Sequence, residues 1–185
     1  YHKRAFAHNY RAPFIYHIIL KKQPGFMRFG EIKGDARKAP GELGCAYIAE
    51  NSLGRIIAKA ILGIQRQFQI LQIYQFVVMP DHVHILLRVK DWSEKHLDFY
   101  VETLKANIGN AYSKEIQKEV AVIDMFLPGY CDKPLLLNRN LDGLFRYIRE
   151  NPHRLAMRRQ FPHFFQSFPL VSPAPRPSPA LFAFK

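Results

Sequence analysis

The chain has 185 residues, of which 48% are hydrophobic and 14% aromatic, which suits one globular domain and excludes a disordered chain. Its 27 lysines and arginines outnumber 15 acidic residues and give a formal charge of +12, which favours nucleic acid as partner, with an anionic membrane second. Cys45 and Cys131 fit no disulfide framework or zinc spacing, and no segment is apolar enough for a signal peptide or a membrane span. We therefore expect a cytoplasmic protein.

The first third of the chain predicts a strand, a long loop and a helix. Residues 14–20, FIYHIIL, are aromatic and β-branched, which is typical of a strand. Residues 25–44 are rich in glycine, lysine and proline and predict a loop, in which 26–32 is a candidate short strand. Residues 53–67 carry apolar side chains at helical spacing behind Ser52, whose side chain suits an N-cap, and therefore predict a helix.

The middle of the chain predicts a β-hairpin followed by a second helix. Residues 68–79 read as extended, Pro80 ends that strand, and residues 82–89 alternate between two faces. Residues 94–118 then have mostly helical apolar spacing, with Lys105 on the side that faces solvent or phosphate.

The last third predicts one helix and an extended tail. The helix covers about 140–150 and ends near Pro152, because proline is poorly tolerated inside a helix. Its predicted buried stripe consists of Leu141, Leu144, Phe145 and Ile148. Past residue 166 the chain is too rich in proline for a helix or a central strand. We therefore divide it into a domain at 1–166 and a Pro-rich tail at 167–185.

Two histidines stand on one face of the strand predicted at 82–89. His82 and His84 are two residues apart, which places their Cα atoms roughly 7 Å apart and lets both rings converge on one cation. Two ligands are too few for a tight site. An isolated pair of this kind more often consists of two half-exposed histidines on a sheet surface than of two metal ligands. The metal-site interpretation therefore needs a third ligand.

Tyr147 and Asn151 lie along the edge of the apolar stripe of the last helix. Side chains at i and i+4 point within roughly 40° of each other, so a phenol and a carboxamide emerge side by side. A half-buried tyrosine and a helix-terminal asparagine before proline are common, and for these two residues alone that structural interpretation is favoured.

The segments VVMPDHVH and YIRENPHR, in this order and separated by a basic loop, resemble the motifs of REP-associated tyrosine transposases, which are single-tyrosine HUH transposases. The resemblance spans residues 14–154, and the Pro-rich tail departs from it. It implies an α+β fold with a ferredoxin-like or RRM-like antiparallel sheet and flanking helices. It also implies an enzyme that cleaves and rejoins single-stranded DNA at hairpin-forming repeats through a 5′-phosphotyrosine.

By position in the motifs, the resemblance implies that Tyr147 is the nucleophile and that His82, His84 and Asn151 are metal ligands. Two imidazoles and one neutral oxygen suit Mn²⁺ well and Mg²⁺ acceptably, and zinc is conceivable. The resemblance implies DNA rather than a membrane as partner, and a monomer or a homodimer in which Tyr147 serves its own or the partner's histidines.

Five basic residues are candidates for contacts to the DNA backbone: Lys105, Arg149, Arg154, Arg158 and Arg159. The alternative for them is a solvated basic face. At the level of function, three alternatives stay open: a catalytically inactive, transposase-derived module that binds single-stranded DNA, another HUH enzyme such as a replication initiator or relaxase, and a metallohydrolase for small molecules.

Overall fold

A computed structural model describes residues 8–121, 125–135 and 141–165 of the chain. The predicted tail at 167–185 lies outside these residues. The helices and strands, in chain order, are β1 (Phe14–Lys21), β2 (Gly30–Lys33), β3 (Tyr47–Glu50), α1 (Ser52–Gln67), β4 (Leu71–Val78), β5 (His82–Val89), α2 (Leu97–Ile116), β6 (Cys131–Leu135) and α3 (Leu141–Gln160). In this described part, no helix has the length and apolar character needed to cross a membrane.

The main sheet has four antiparallel strands in the order β4-β5-β1-β6. The β2–β3 hairpin forms a separate two-stranded sheet and is inserted between β1 and α1. Without this insertion the elements follow a βαββαβ order, with the first and third strands of that order at the centre of the sheet. This is the ferredoxin-like arrangement, so the predicted α+β fold class is confirmed.

The two faces of the sheet carry different partners, because side chains alternate along each strand. One face packs against α1 and α2, and its central strand residues are Tyr16, Ile18, Leu20, Val83, Ile85 and Leu87. On the other face Ile15 and Leu86 pack with Ile148 of α3, joined by Leu141, Leu144 and Phe145. The predicted stripe of the last helix therefore does pack on the sheet, although only Ile148 of its four residues is fully buried. Helix α3 lies on the face that carries His82 and His84.

Two strands of the structure were missed by the sequence prediction. β3 is only four residues long, and its partner β2 begins later than the short strand expected at 26–32. β6 is an edge strand and includes Pro134. Because edge strands tolerate proline and do not need two apolar faces, the segment CDKPL carries no clear strand pattern.

The boundaries of two predicted helices were wrong at their first residues. The N-cap of α1 is Asn51 rather than Ser52, since the Asn51 side-chain oxygen accepts the backbone N–H of Gly54 at 2.9 Å and its amide group donates to the carbonyl of Arg28. α2 begins at Leu97, three residues later than expected, after His96 as its N-cap.

The largest correction concerns α3, which does not end near Pro152 but continues to Gln160. A proline inside a helix removes one backbone hydrogen bond and costs roughly 3 kcal/mol, so other contacts must hold the second half. They come from the β2–β3 hairpin: Gln160 accepts the N–H of Ala36 at 3.1 Å, and a ring nitrogen of His153 lies 2.8 Å from the Ala36 carbonyl oxygen. Ala156, 1% exposed, packs there as well.

Gly54 is expected to tolerate no side chain, although it lies inside a helix. A Cβ at this position would overlap the carbonyl oxygen of Phe29, which belongs to the backbone and cannot rotate away as a side chain could. We expect Gly54→Ala to lower the free energy of unfolding by about 2 kcal/mol, because overpacking outweighs the gain in helix propensity. Urea unfolding measures the change.

Gly63 in the same helix is the matched control, since a Cβ there meets only the end of the Arg66 side chain at 3.9 Å. Gly63→Ala is expected to leave stability unchanged or to raise it by up to about 1 kcal/mol. Equal effects of the two substitutions would contradict the close approach of α1 to Phe29.

Candidate active site

The register of the two central strands brings three histidines to one place on the α3 face. Ile19 of β1 pairs with His84 of β5, and Lys21 pairs with His82. His17 lies two residues before Ile19 and therefore on the same face as both. Its side chain is 5% exposed and that of His84 is 3% exposed, whereas a quarter of the His82 side chain reaches solvent.

These histidines form a continuous chain of polar contacts with Asp81. Nδ1 of His82 lies 2.7 Å from Oδ1 of Asp81, and Nε2 of His82 lies 3.0 Å from Nε2 of His84. Nδ1 of His84 in turn lies 2.9 Å from Nε2 of His17. Each contact can hold one proton, so the four side chains fix one another's orientation.

Helix α3 places Tyr147 and Asn151 against this chain. The ring of Tyr147 lies edge-on to that of His84, with centroids 5.7 Å apart, and Tyr147 is 37% exposed. Asn151 is 9% exposed. Both line one cleft of about 460 Å³ together with His82 and His84. The structure thus brings together all four residues singled out as nucleophile and ligands, and the expectation that Asn151 ends the helix is replaced by a position inside α3.

The cleft is positively charged. Its lining includes Lys21, Lys22, Arg154 and Arg158, against the single carboxylate of Asp81. The guanidinium of Arg154 lies 5.3 Å from the centre of the Tyr147 ring. The hydrogen bond from His82, above all, and the charges of His82 and Arg159 lower the pKa of Asp81, so the charge of Arg159 reaches the cleft although Arg159 does not line it. Such a lining suits a phosphodiester backbone.

Two of the five predicted phosphate contacts lie elsewhere. Arg149 is exposed beside a second cleft between α3 and the β2–β3 hairpin. Lys105 is a correction, because it does not face solvent: it is 2% exposed, and its ammonium group donates to Glu102 and to the carbonyl of Gly129. Its long side chain lets a lysine at a core-facing helix position satisfy its charge internally.

The donor set fits a divalent cation. Two nitrogens at about 2.1 Å from one ion and at right angles lie about 3.0 Å apart, which matches the separation between the Nε2 atoms of His82 and His84. The amide nitrogen of Asn151 is buried and has no hydrogen-bond partner among the described residues. Rotation of this amide by 180° would put its oxygen, the atom that binds cations, at the same place.

Among the described residues, no group of three or more His, Cys, Asp and Glu side chains is arranged to hold a metal. A site built from these parts therefore depends on the carboxamide of Asn151 as third protein ligand.

Sequence reasoning singles out neither three residues that line this cleft, Lys21, Lys22 and Asp81, nor His17, which lies behind His84. Asp81 lies between the two strands predicted at 68–79 and 82–89, and His17 lies within the strand predicted at 14–20, with no role in the site predicted for either. Lys21, the last residue of β1, pairs with His82, and Lys22 follows it at the same cleft. The sequence signal for His17 is its polar ring in an otherwise apolar strand, because a strand that only packs in the core would be expected to carry an apolar residue there.

The buried histidines make the cation-free protein sensitive to acid. Burial, with a smaller effect of Lys133, lowers the pKa of His17 from 6.5 to about 4. Burial, followed by the charges of His82 and His17, lowers the pKa of His84 to about 3. Below pH 6.5 the unfolded chain therefore binds protons that the folded protein does not. Stability should fall from pH 6.5 toward pH 4, by up to about 1.4 kcal/mol per pH unit for each histidine.

Urea unfolding in EDTA at pH 7.5, 6 and 5 measures this dependence. Because other groups also titrate in this range, the informative quantity is the difference between the unmodified protein and His17→Leu, whose stability should depend less on pH. Identical pH profiles of the two proteins would contradict the burial of a neutral imidazole at this position.

Comparison with known proteins finds similarity in structure. No family model and no curated protein matches the chain. The structure of a REP-associated tyrosine transposase bound to a REP hairpin is similar, with a TM-score of 0.53 and 13% identity over 82% of this chain and 74% of that one. A "putative transposase" from Deinococcus radiodurans R1 has a TM-score of 0.44 and 18% identity, over 82% of this chain and 98% of that one. In fold, the chain is similar to a REP-associated tyrosine transposase, the family that its two motifs resemble.

Proposed function

We propose that the chain is a DNA transposase that cleaves and rejoins single-stranded DNA through a 5′-phosphotyrosine on Tyr147. The proposal is based on one observation. The Tyr147 phenol, two imidazoles and a buried carboxamide line the same positively charged cleft. These side chains come from distant parts of the chain. The histidine pair on β5 and the Tyr147–Asn151 pair on α3 have no evident need of each other for the fold to be stable.

The proposed substrate is single-stranded DNA that folds into hairpins. The transposase of similar fold is bound to a REP hairpin, and the net charge of +12 together with the lysines and arginines of the cleft supports a polyanionic substrate here. Arg154 and Arg158 are the residues we assign to phosphate oxygens near the scissile bond, and Arg159 adds its charge from outside the lining of the cleft.

The proposed reaction is an in-line displacement at phosphorus. The phenol oxygen of Tyr147 forms a bond to phosphorus, the bond from phosphorus to the 3′ oxygen breaks, and the released 3′ oxygen takes up a proton. Because the new aryl phosphate ester retains the energy of the original diester, attack by another strand's 3′-OH rejoins DNA without ATP.

A phenol is a weak nucleophile at neutral pH, so its proton must be withdrawn or its negative charge stabilised. Arg154, beside the Tyr147 ring, supplies positive charge at that point. A Mg²⁺ or Mn²⁺ ion held by His82, His84 and Asn151 would supply further positive charge to the non-bridging oxygens of the scissile phosphate.

The test is a search for a covalent complex. The protein is incubated with labelled single-stranded hairpin oligonucleotides taken from repeats that flank its gene, with Mn²⁺ or with EDTA, and resolved on denaturing gels. A labelled adduct that requires the cation is expected. Tight binding with no adduct on any of these repeats would overturn the proposal and favour the inactive DNA-binding module.

Tyr147 is expected to serve the histidines of its own chain. It contacts His84 within one chain, and the second half of α3 is held by the β2–β3 hairpin of the same chain. Mixing His82→Ala with Tyr147→Phe protein should therefore yield no adduct, measured on the same gels. The control is each variant mixed with unmodified protein, which should retain that protein's activity. Restored cleavage in the mixture would instead show that α3 is exchanged between two copies.

A further inference from the structure

His17 belongs to neither motif, yet it makes the closest polar contact to the inner side of His84. Its Nε2 lies 2.9 Å from Nδ1 of His84, and the two rings are nearly parallel, at 21°. His17 is 5% exposed, so water does not readily take its place. Asp81 occupies the equivalent position on the outer histidine, at 2.7 Å from Nδ1 of His82.

The proton positions in the cation-free protein follow from this chain of contacts. When the three imidazoles are neutral and the Asp81 carboxylate accepts, Nδ1 of His82 carries the proton and its Nε2 has a lone pair. The contact of 3.0 Å between the two Nε2 atoms then requires a proton on Nε2 of His84. The Nδ1 atom of neutral His84 must in turn accept a proton from Nε2 of His17.

Cation binding requires the opposite arrangement at His84. A ligating Nε2 must present its lone pair, so the ring proton must move to Nδ1 and find an acceptor there. Only a partner that can both donate and accept serves both states, and a neutral imidazole does so by changing its own tautomer. A carboxylate at this place would add an unpaired charge in a buried position.

We propose that His17 is a positioning residue that lets His84 exchange tautomers, donating to Nδ1 of His84 when the site is empty of cation and accepting from it when a cation binds. The protons balance: His84 gives its Nε2 proton to solvent and receives one at Nδ1 from His17, and His17 takes one from solvent at its own Nδ1. This inference rests on the proposed role of His84 as a ligand and does not depend on the chemistry of Tyr147.

Two substitutions separate the hydrogen bond from the packing of His17. His17→Gln provides an amide that both donates and accepts, whereas His17→Leu fills similar space and does neither. Because the ring of His17 also lies 6.2 Å from that of Tyr147, DNA cleavage is an ambiguous readout. The affinity for Mn²⁺ alone, measured by calorimetry and by loss of the free Mn²⁺ signal in electron paramagnetic resonance, is the suitable one.

We expect His17→Leu to weaken Mn²⁺ binding by about 10- to 100-fold and His17→Gln to lie within a few-fold of the unmodified protein. Both variants should bind a hairpin oligonucleotide in EDTA as the unmodified protein does, which shows that the fold is intact. Unchanged Mn²⁺ affinity in His17→Leu would overturn the role of His17. Absence of Mn²⁺ binding to the unmodified protein would overturn the metal site and this inference with it, while adduct formation remains a separate measurement.

Nitrogen-15 NMR of the histidine rings gives an independent test. In the cation-free protein Nε2 of His84 should be protonated, and on addition of Mg²⁺, which is diamagnetic, the proton should be found on Nδ1. In His17→Leu the shift between these tautomers should require far more Mg²⁺. A proton on Nδ1 of His84 without any cation would contradict the proposed exchange.

Discussion

Tyr147→Phe is expected to abolish the covalent DNA adduct while DNA and Mn²⁺ binding persist. The substitution removes one oxygen, the proposed nucleophile, from a side chain that is 37% exposed, so no buried void is formed. The loss of adduct should be at least about a thousandfold, because removal of a covalent nucleophile eliminates the reaction path rather than slowing it. Measuring both the adduct yield and the binding affinity for the same hairpin substrate separates loss of the reaction from loss of DNA binding.

Tyr47→Phe is the matched control, since Tyr47 is also exposed, at 51%, and lines the second cleft instead of the first. It should leave the adduct unchanged. If Tyr147→Phe formed the adduct at comparable yield, the nucleophile would be another residue, which would contradict the proposed mechanism.

His82→Ala is expected to lower Mn²⁺ affinity by more than roughly 100-fold and to abolish the adduct. Loss of a residue that only supports a metal ligand typically costs 10- to 100-fold in affinity, so loss of a proposed ligand should exceed this range. His82 is partly exposed, and its removal is therefore less disruptive to the core than that of His84. Calorimetry with Mn²⁺ alone measures the change without DNA.

The control is His163→Ala, an exposed histidine beyond the end of α3 that does not line the cleft. Its Mn²⁺ affinity should match that of the unmodified protein. If His82→Ala bound Mn²⁺ normally but formed no adduct, the imidazole would act on the DNA or on Tyr147, and not as a ligand.

The parts of the fold that could be predicted from sequence are those set by local periodicity. Alternation in β5 placed His82 and His84 on one face, and apolar spacing in α3 placed Tyr147 and Asn151 beside a buried stripe. Both patterns arise because each element buries one face, so the position of a side chain follows from its spacing alone.

The parts that could not be predicted depend on contacts between distant segments. Proline at position 152 predicts a helix end, yet α3 continues because Ala36 and its neighbours in the hairpin hold the helix beyond it. The charge of Lys105 predicts a solvent-facing side chain, yet its ammonium group is buried and donates hydrogen bonds to Glu102 and to the carbonyl of Gly129, 24 residues away. His17 becomes part of the site only through the pairing of β1 with β5.

Substitutions where the β2–β3 hairpin contacts α3 are expected to inactivate the protein without unfolding it. Where the hairpin meets the second half of α3, Ile32, Met157 and Phe161 pack around three small side chains, those of Ala36, Ala46 and Ala156, none of them more than 7% exposed. A larger residue at any of them would push the hairpin from the helix that carries Tyr147, while the main sheet keeps its own core. A genetic screen for loss of transposition should therefore recover well-folded mutants at alanines that touch neither DNA nor metal.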